Sequence, residues 1–131
     1  MPAKLVSVIV LNLDGEAILG RCLDHLLGQT YANVEIIVID NGSSDGSLSV
    51  LQAYLNTGKV TVVRNERNLG VPGGRNQGLL YARGEVVAFM DNDGYAAPTW
   101  LEEALRALDV DPGIGAVAPV VFFNKIGRAH V

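Results

Sequence analysis

Short runs of β-branched residues alternate along the chain with segments whose apolar positions recur every three or four residues. KLVSVIVLNL (4–13), VEIIVID (34–40), KVTVVRN (59–65) and GEVVAFMD (84–91) are the short runs. Apolar stretches of this length, bounded by polar turn residues, predict buried strands. Between them, GEAILGRCLDHLLGQ (15–29) puts Ile18, Leu19, Cys22, Leu23, Leu26 and Leu27 on one helical stripe. DGSLSVLQAYLN (45–56) repeats the spacing with Leu48, Leu51 and Leu55. PGGRNQGLLYAR (72–83) predicts a helix opened by a proline and two glycines, and Pro98 fits the first turn of a helix running to Leu108. GAVAPVVFF (115–123) predicts a fifth extended segment, which Pro119 assigns to an edge or a bend.

Strands that alternate with helices at this spacing imply βαβ units, right-handed crossovers and a mainly parallel sheet covered on both faces. In such open sheets ligands bind beyond the carboxyl ends of the strands. The loops that leave those ends are NLDGEA, DNGSSDGS, NERNLGVPGG and DNDGYAAP, all polar and rich in glycine. The return loops, GQTYAN, NTGK and RG, are short and carry little chemistry. The reactive side chains should therefore gather at one edge of the sheet.

Composition narrows the class. A chain of 131 residues is one domain, with 49% hydrophobic and 18% charged residues and a mean hydropathy of +0.26. That value suits strands buried on both faces. The apolar runs fall well short of the roughly 18–20 residues of a membrane-spanning helix. The first apolar run reaches Asn12 and Asp14 too soon for a signal peptide, so the sequence reads as cytoplasmic. A net charge of −4, a pI near 5.0 and the lack of any basic run argue against a nucleic-acid partner. The single cysteine, Cys22, falls on the apolar stripe of the first helix and reads as a small core residue.

Three loops carry candidate chemistry. Asp40 stands at the tip of the second strand, where a carboxylate either ends the strand or accepts hydrogen bonds from a base or ribose. Asn41-Gly42 is a turn pair, and Ser43, Ser44 and Asp45 are candidates to cap the next helix. Asn68, Gly70, Gly73 and Gly74 lead into a helix N-terminus that attracts anions, with Arg75 ready to fork onto a phosphate; the same glycines equally suit a tight turn and close helix–strand packing. Asp91 and Asp93, two apart and followed by Gly94, suit Mg²⁺ or Mn²⁺, which usually binds one or two carboxylates together with phosphate oxygens and water. The alternative for this pair is a solvated acidic turn.

Taken in order, VSVIVLN, VEIIVIDNGSSDGS, NLGVPGGRNQG and VVAFMDNDG resemble the nucleotide-sugar-binding half of the family 2 glycosyltransferases, over residues 5–123. The resemblance implies a Rossmann-like α/β GT-A fold, a three-layer sandwich with a mainly parallel sheet. It implies transfer of a sugar from a UDP- or dTDP-linked donor, with inversion, to a saccharide or lipid-linked acceptor, as in cell-envelope polysaccharide synthesis. It also implies that Leu11 and Asn12 lie against the nucleotide and that Asp40 contacts the base. Asn68, Gly73 and Arg75 would help hold the nucleotide, Asp91 would stand near ribose and metal, and Asp93 would ligate the metal, with Asp91-Asn92-Asp93 as the D-x-D motif. In that family the general base lies downstream, in the acceptor-binding half. Glu66, Glu102, Glu103, His25 and His130 are poorly placed to replace it.

Residues 1–125 are thus expected to be the donor-binding part. IGRAHV (126–131) resembles a reading frame of a sequencing-adapter end and is suspected of being non-native. Location at the inner face of a membrane stays open. A non-catalytic nucleotide-binding module is the alternative function. A receiver-like signalling domain fits less well, because Lys125 is poorly placed for its late lysine.

Overall fold

The computed structural model describes residues 3–118 and the backbone of 122–123 and 129–130. The chain forms two compact units, one of residues 1–20 and 33–92, the other of 21–32 and 93–131.

The first unit is built on four strands, β1 (Val6–Asn12), β2 (Val34–Asp40), β3 (Val60–Arg64) and β4 (Val86–Asp91). They form a parallel sheet in the order β3-β2-β1-β4. This is the parallel α/β sheet that the alternation predicted, in the Rossmann-like architecture that the resemblance implied. β2 is buried along its whole length and β1 at all but Leu11, which is why both read as nearly continuous apolar runs. Ile9, Ile37 and Ile39 form a core cluster, with Leu11, Val63, Ala82 and Val87 packed against it.

Helix α1 (Leu19–Leu27) begins in this unit and runs on into the second; α2 (Ser47–Leu55) and α3 (Gly70–Tyr81) belong to the first. α2 packs along β3, and α3 along β1 and β2. The close approach of α3 depends on Gly74 and Gly78, four residues apart on one helix face. A Cβ at Gly78 would stand 2.6 Å from Ile9 Cγ2, and one at Gly74 2.6 Å from Leu11 Cδ2. These two glycines therefore serve helix–strand packing.

At the amino edge of the sheet the apolar runs are interrupted by Ser7 and Glu35, which face each other in register. Ser7 Oγ donates to the Glu35 carboxylate, which also accepts from Arg83 N (2.7 Å) and Arg83 Nε (3.0 Å). Ser7 Oγ in turn accepts from Gly84 N at 2.8 Å. Burial pushes the Glu35 carboxyl up, but the Ser7 and Arg83 donors outweigh it and hold the group below its ordinary value. This joint ties β1 and β2 to the α3–β4 turn, away from the carboxyl edge.

In the second unit, α4 (Trp100–Leu108) follows a turn that contains Pro98. Gln29 caps it from a distance: its Oε1 accepts from Leu101 N (3.1 Å), while its Nε2 donates to the carbonyls of His25 (3.1 Å) and Ala97 (2.7 Å). One side chain thus satisfies a helix C-terminus and a helix N-terminus. His25 is a packing residue, stacked on Tyr95 with its Nδ1–H on the Ala96 carbonyl. Glu102 and Glu103 both pair with Arg106 on the α4 surface. Cys22 is a buried thiol outside any disulfide.

Several boundaries differ from the sequence expectation. α1 starts at Leu19, not near Gly15, because residues 14–16 are committed elsewhere. Asp14 takes a left-handed φ of 50°, and the amides of Asp14 and Glu16 donate to Ser43 Oγ and Asp45 Oδ2. α3 starts at Gly70, two residues early, since Asn68 Oδ1 accepts the Gly70 amide (2.8 Å) and Pro72 falls in the first turn, where no N–H is needed. Of the expected fifth extended segment (115–123), residues 119–121, Pro119 among them, lie outside the described residues. Residues 115–118 form no strand, and β5 (Phe122–Phe123) pairs antiparallel with β6 (Ala129–His130), inside the segment suspected of being non-native.

Candidate functional site

The parallel register brings the strand ends of the first unit level with one another. Asn12 is opposite Asp40, Leu11 opposite Asp91, and Asp40 opposite Arg64. The chain order reverses beside β1: successive crossovers lead to β2 and β3 on one side, and the next leads back to β4 on the other. The carboxyl ends of β1 and β4 therefore flank the topological switch point, where doubly wound sheets bind their ligands.

At this point Asp40 is fully buried, and its carboxylate is heavily engaged. Oδ1 accepts from Asn12 Nδ2 (3.0 Å) and Ser43 Oγ (2.6 Å), and Oδ2 from Ser43 N (3.1 Å). Two carboxylate oxygens offer about four acceptor positions, so one remains, on Oδ2. Asn12, 1% exposed, also reaches Ser43 Oγ (3.2 Å) and accepts from Asn92 Nδ2 at 2.9 Å. Ser43 is thus a partner of Asp40 and not a helix cap, and only Asp45 of the three proposed caps serves α2, accepting from Ser47 N and Oγ. The Ser47 hydroxyl leads the contacts that hold the Asp45 carboxyl below its ordinary value; desolvation opposes them, and the Glu16 and Ser47 amides add to them.

Leu11, Gly73 and Asn68 sit around α3. Leu11 is half-buried against Gly74; Gly73 is half-buried in the first turn of the helix; Asn68 is exposed, with its Oδ1 on the Gly70 amide. Arg75, on the same helix, holds its Nη2 3.8 Å from Asp91 Oδ1 and its guanidinium 5.2 Å from the centre of the Phe89 ring. The Asp91 side chain is 72% exposed. Asp93 opens the second unit and is exposed. The structure therefore gathers Leu11, Asn12, Asp40, Gly73, Arg75 and Asp91 in one unit, around a single sheet edge.

One accessible carboxylate at this edge, that of Asp91, is of the type that a hard cation takes. A positive group, the Arg75 guanidinium, already stands beside it. No group of three or more His, Cys, Asp or Glu side chains gathers among the described residues. A cation here would draw the rest of its shell from water and phosphate oxygens, which is how Mg²⁺ usually binds.

Sequence reasoning picked out Asn12 but overlooked the other amides of this edge. Asn12, Asn41, Asn65 and Asn92 stand at, or one residue past, the ends of β1, β2, β3 and β4. Asn65 Nδ2 donates to Asn41 Oδ1 (3.0 Å), and Asn65 and Gln77 exchange two further bonds (2.7 and 2.8 Å). The Asn41 amide N–H donates to the Asn12 carbonyl at 2.8 Å. The signal was an asparagine after every parallel strand.

The geometry agrees with comparisons across known proteins. The family model for glycosyl transferase family 2 matches residues 7–129. Glycosyltransferase EpsH of Bacillus subtilis is 35% identical over 106 residues, covering 81% of this chain and 31% of its own. A mannosyltransferase of Pyrobaculum calidifontis, solved with GDP-Man and Mn²⁺, superposes with a TM-score of 0.84 at 30% identity, over 89% of this chain and 35% of its own. Staphylococcal TarS (S. aureus), solved with UDP-GlcNAc, gives 0.76 at 28% identity, over 92% and 38%. The chain spans about a third of the length of these relatives. On the family match and the GT-A neighbours, the chain belongs to glycosyl transferase family 2.

Proposed function

We propose that this chain is the donor-binding part of a glycosyltransferase that transfers a sugar from a nucleoside diphosphate sugar, with inversion, to a saccharide or lipid-linked acceptor. The observation that carries the reading is the level register of Asn12, Asp40 and Asp91 at the switch point, with Arg75 beside Asp91. The nucleotide lies against Leu11, Asn12 and Gly73, with the α3 N-terminus and Asn68 toward its phosphates. Asp40 offers its remaining acceptor position to an N–H of uracil or thymine once Asn12 and Ser43 draw back from it, and Arg75 turns from Asp91 to the diphosphate. UDP-GlcNAc in TarS supports uracil, and GDP-Man in the mannosyltransferase makes guanine the base to test against it.

Asp91 and Asp93, two residues apart in sequence, hold Mg²⁺ or Mn²⁺. The bound cation supplies Lewis-acid neutralisation of the departing diphosphate. The chain's own residues fix the base and shield the diphosphate charge. The catalytic base belongs to the acceptor-binding part of the whole enzyme. No helix among the described residues is long and apolar enough to cross a membrane. We place the donor site on the cytoplasmic side, with any membrane attachment peripheral, in cell-envelope polysaccharide synthesis.

Electron paramagnetic resonance of free Mn²⁺ tests the metal arm. Protein and UDP together should deplete the free-Mn²⁺ signal more than the sum of either alone, and Asp91→Asn or Asp93→Ala should remove the excess. Equal depletion by wild type and both variants would refute the assignment. Repeating the titration with dTDP and GDP ranks the bases.

A further inference from the structure

We propose that Asn92, the middle residue of Asp91-Asn92-Asp93, is a positioning residue that holds the base-binding carboxylate Asp40 in place through Asn12. The inference rests on the nucleotide reading above.

The chain of contacts has one direction. Asp40 is a carboxylate accepting three hydrogen bonds, so the Asn12 side chain must present its NH₂ to it. That choice turns the Asn12 carbonyl the opposite way, toward the end of β4. A buried amide oxygen needs a donor, and Asn92 Nδ2 supplies it at 2.9 Å. Donors therefore run in series, from Asn92 to Asn12 to Asp40. The series crosses the switch point from the β4 end to the β1 end and on to β2, the crevice in which the nucleotide is proposed to lie.

A second observation shows how closely the pair is enclosed. A Cβ on Gly15 would lie 2.3 Å from Asn12 Oδ1 and 2.4 Å from Asn92 Nδ2. The loop after β1 passes directly over the two hydrogen-bonded atoms, and only glycine leaves them room. An amide at position 92 is thus matched to its neighbour in both chemistry and space, which a solvated turn residue would not need.

The consequence is functional. Without the Asn92 donor, the buried Asn12 Oδ1 loses its partner, and the Asn12 amide that holds Asp40 is no longer pinned from the β4 end. The isosteric change Asn92→Asp is the sharpest test, because it sets a carboxylate oxygen against Asn12 Oδ1 and pushes the Asn12 side chain out of its place on Asp40. Asn92→Ala merely releases Asn12. The added negative charge of Asn92→Asp favours the cation, so it cannot weaken nucleotide binding by losing Mn²⁺.

The experiment compares UDP with inorganic pyrophosphate, both with Mn²⁺, by calorimetry on the full chain. The ratio of UDP to pyrophosphate affinity isolates the nucleoside contacts from the charge effect. It should fall about tenfold in Asn92→Asp and about threefold in Asn92→Ala. Equal losses for UDP and pyrophosphate, or an aspartate variant no worse than the alanine variant, would overturn the proposal. A ligand-free arm separates this outcome from failure of the nucleotide reading. In ¹⁵N-correlated spectra, the side-chain amide pair of Asn12 should shift strongly in Asn92→Asp at neutral pH, with the rest of the spectrum retained. An unmoved Asn12 pair refutes the relay whether or not UDP binds. Wild type that fails to bind UDP, with the Asn12 pair shifted, refutes only the nucleotide reading.

Discussion

Replacing Glu35 should show how much of the sheet depends on one buried carboxylate. Glu35 is 8% exposed and Ser7 is fully buried. Glu35→Ala leaves the Ser7 hydroxyl and the Arg83 backbone N–H without their acceptor. An unsatisfied buried polar group costs about 1–3 kcal/mol, so the two together should cost about 2–6 kcal/mol. The Arg83 guanidinium adds little, because that side chain is 78% exposed and water replaces the carboxylate. Glu35→Gln keeps the shape and leaves an oxygen at the Oε2 position for both the Ser7 hydroxyl and the Arg83 backbone N–H, with its NH₂ toward the exposed guanidinium. Its cost should be about 1 kcal/mol, the loss of charge assistance.

The pH dependence gives a second, independent check. The folded-state pKa of Glu35 is lowered, so its contribution is complete above the unfolded carboxyl pKa and is lost as pH falls through the folded value. Urea unfolding at neutral pH should rank wild type above Glu35→Gln and both above Glu35→Ala. The gap between wild type and Glu35→Gln should then close below about pH 4.5. A Glu35→Ala variant within about 0.5 kcal/mol of wild type, the range of an ordinary surface substitution, would refute the argument. So would a gap that widens on acidification.

Three further perturbations address other joints. Gly78→Ala drives a Cβ to 2.6 Å from Ile9 Cγ2; overpacking of about 1–3 kcal/mol should outweigh a helix-propensity gain of about 1 kcal/mol, and a stabilised variant in urea would contradict the packing. Gln77→Leu removes the reciprocal pair with Asn65 and should cost about 1–2 kcal/mol, read by thermal melting; an unchanged midpoint would mean that the amides do not hold α3. Gln29→Ala uncaps α4 at a cost of about 1 kcal/mol, and the Leu101 amide should exchange faster with solvent. Unchanged exchange there would refute the cap.

The strands and their shared edge were legible because burial on both faces writes β1 and β2 as unbroken apolar runs. Helix starts were less legible, since the side chains that decide them come from other loops. Nothing local to Gly15 announces that Asp14 and Glu16 are engaged by residues 43–46. The acidic positions at the edge were found from their strand-end spacing. Asn12 was found with them, but Asn41, Asn65 and Asn92 were missed, because asparagine after a strand also reads as ordinary turn chemistry. The burial of Asp40 could not be foreseen either. It follows from Asn12 and Ser43 closing over it, a contact across 28 residues of sequence in the first case.

Calorimetric titration of UDP into the chain, with and without Mn²⁺, tests the central claim most directly. The account predicts UDP binding that depends on Mn²⁺ and that Asp93→Ala abolishes while the fold is retained. Binding of equal strength with and without the cation, or none to the folded chain, would contradict it.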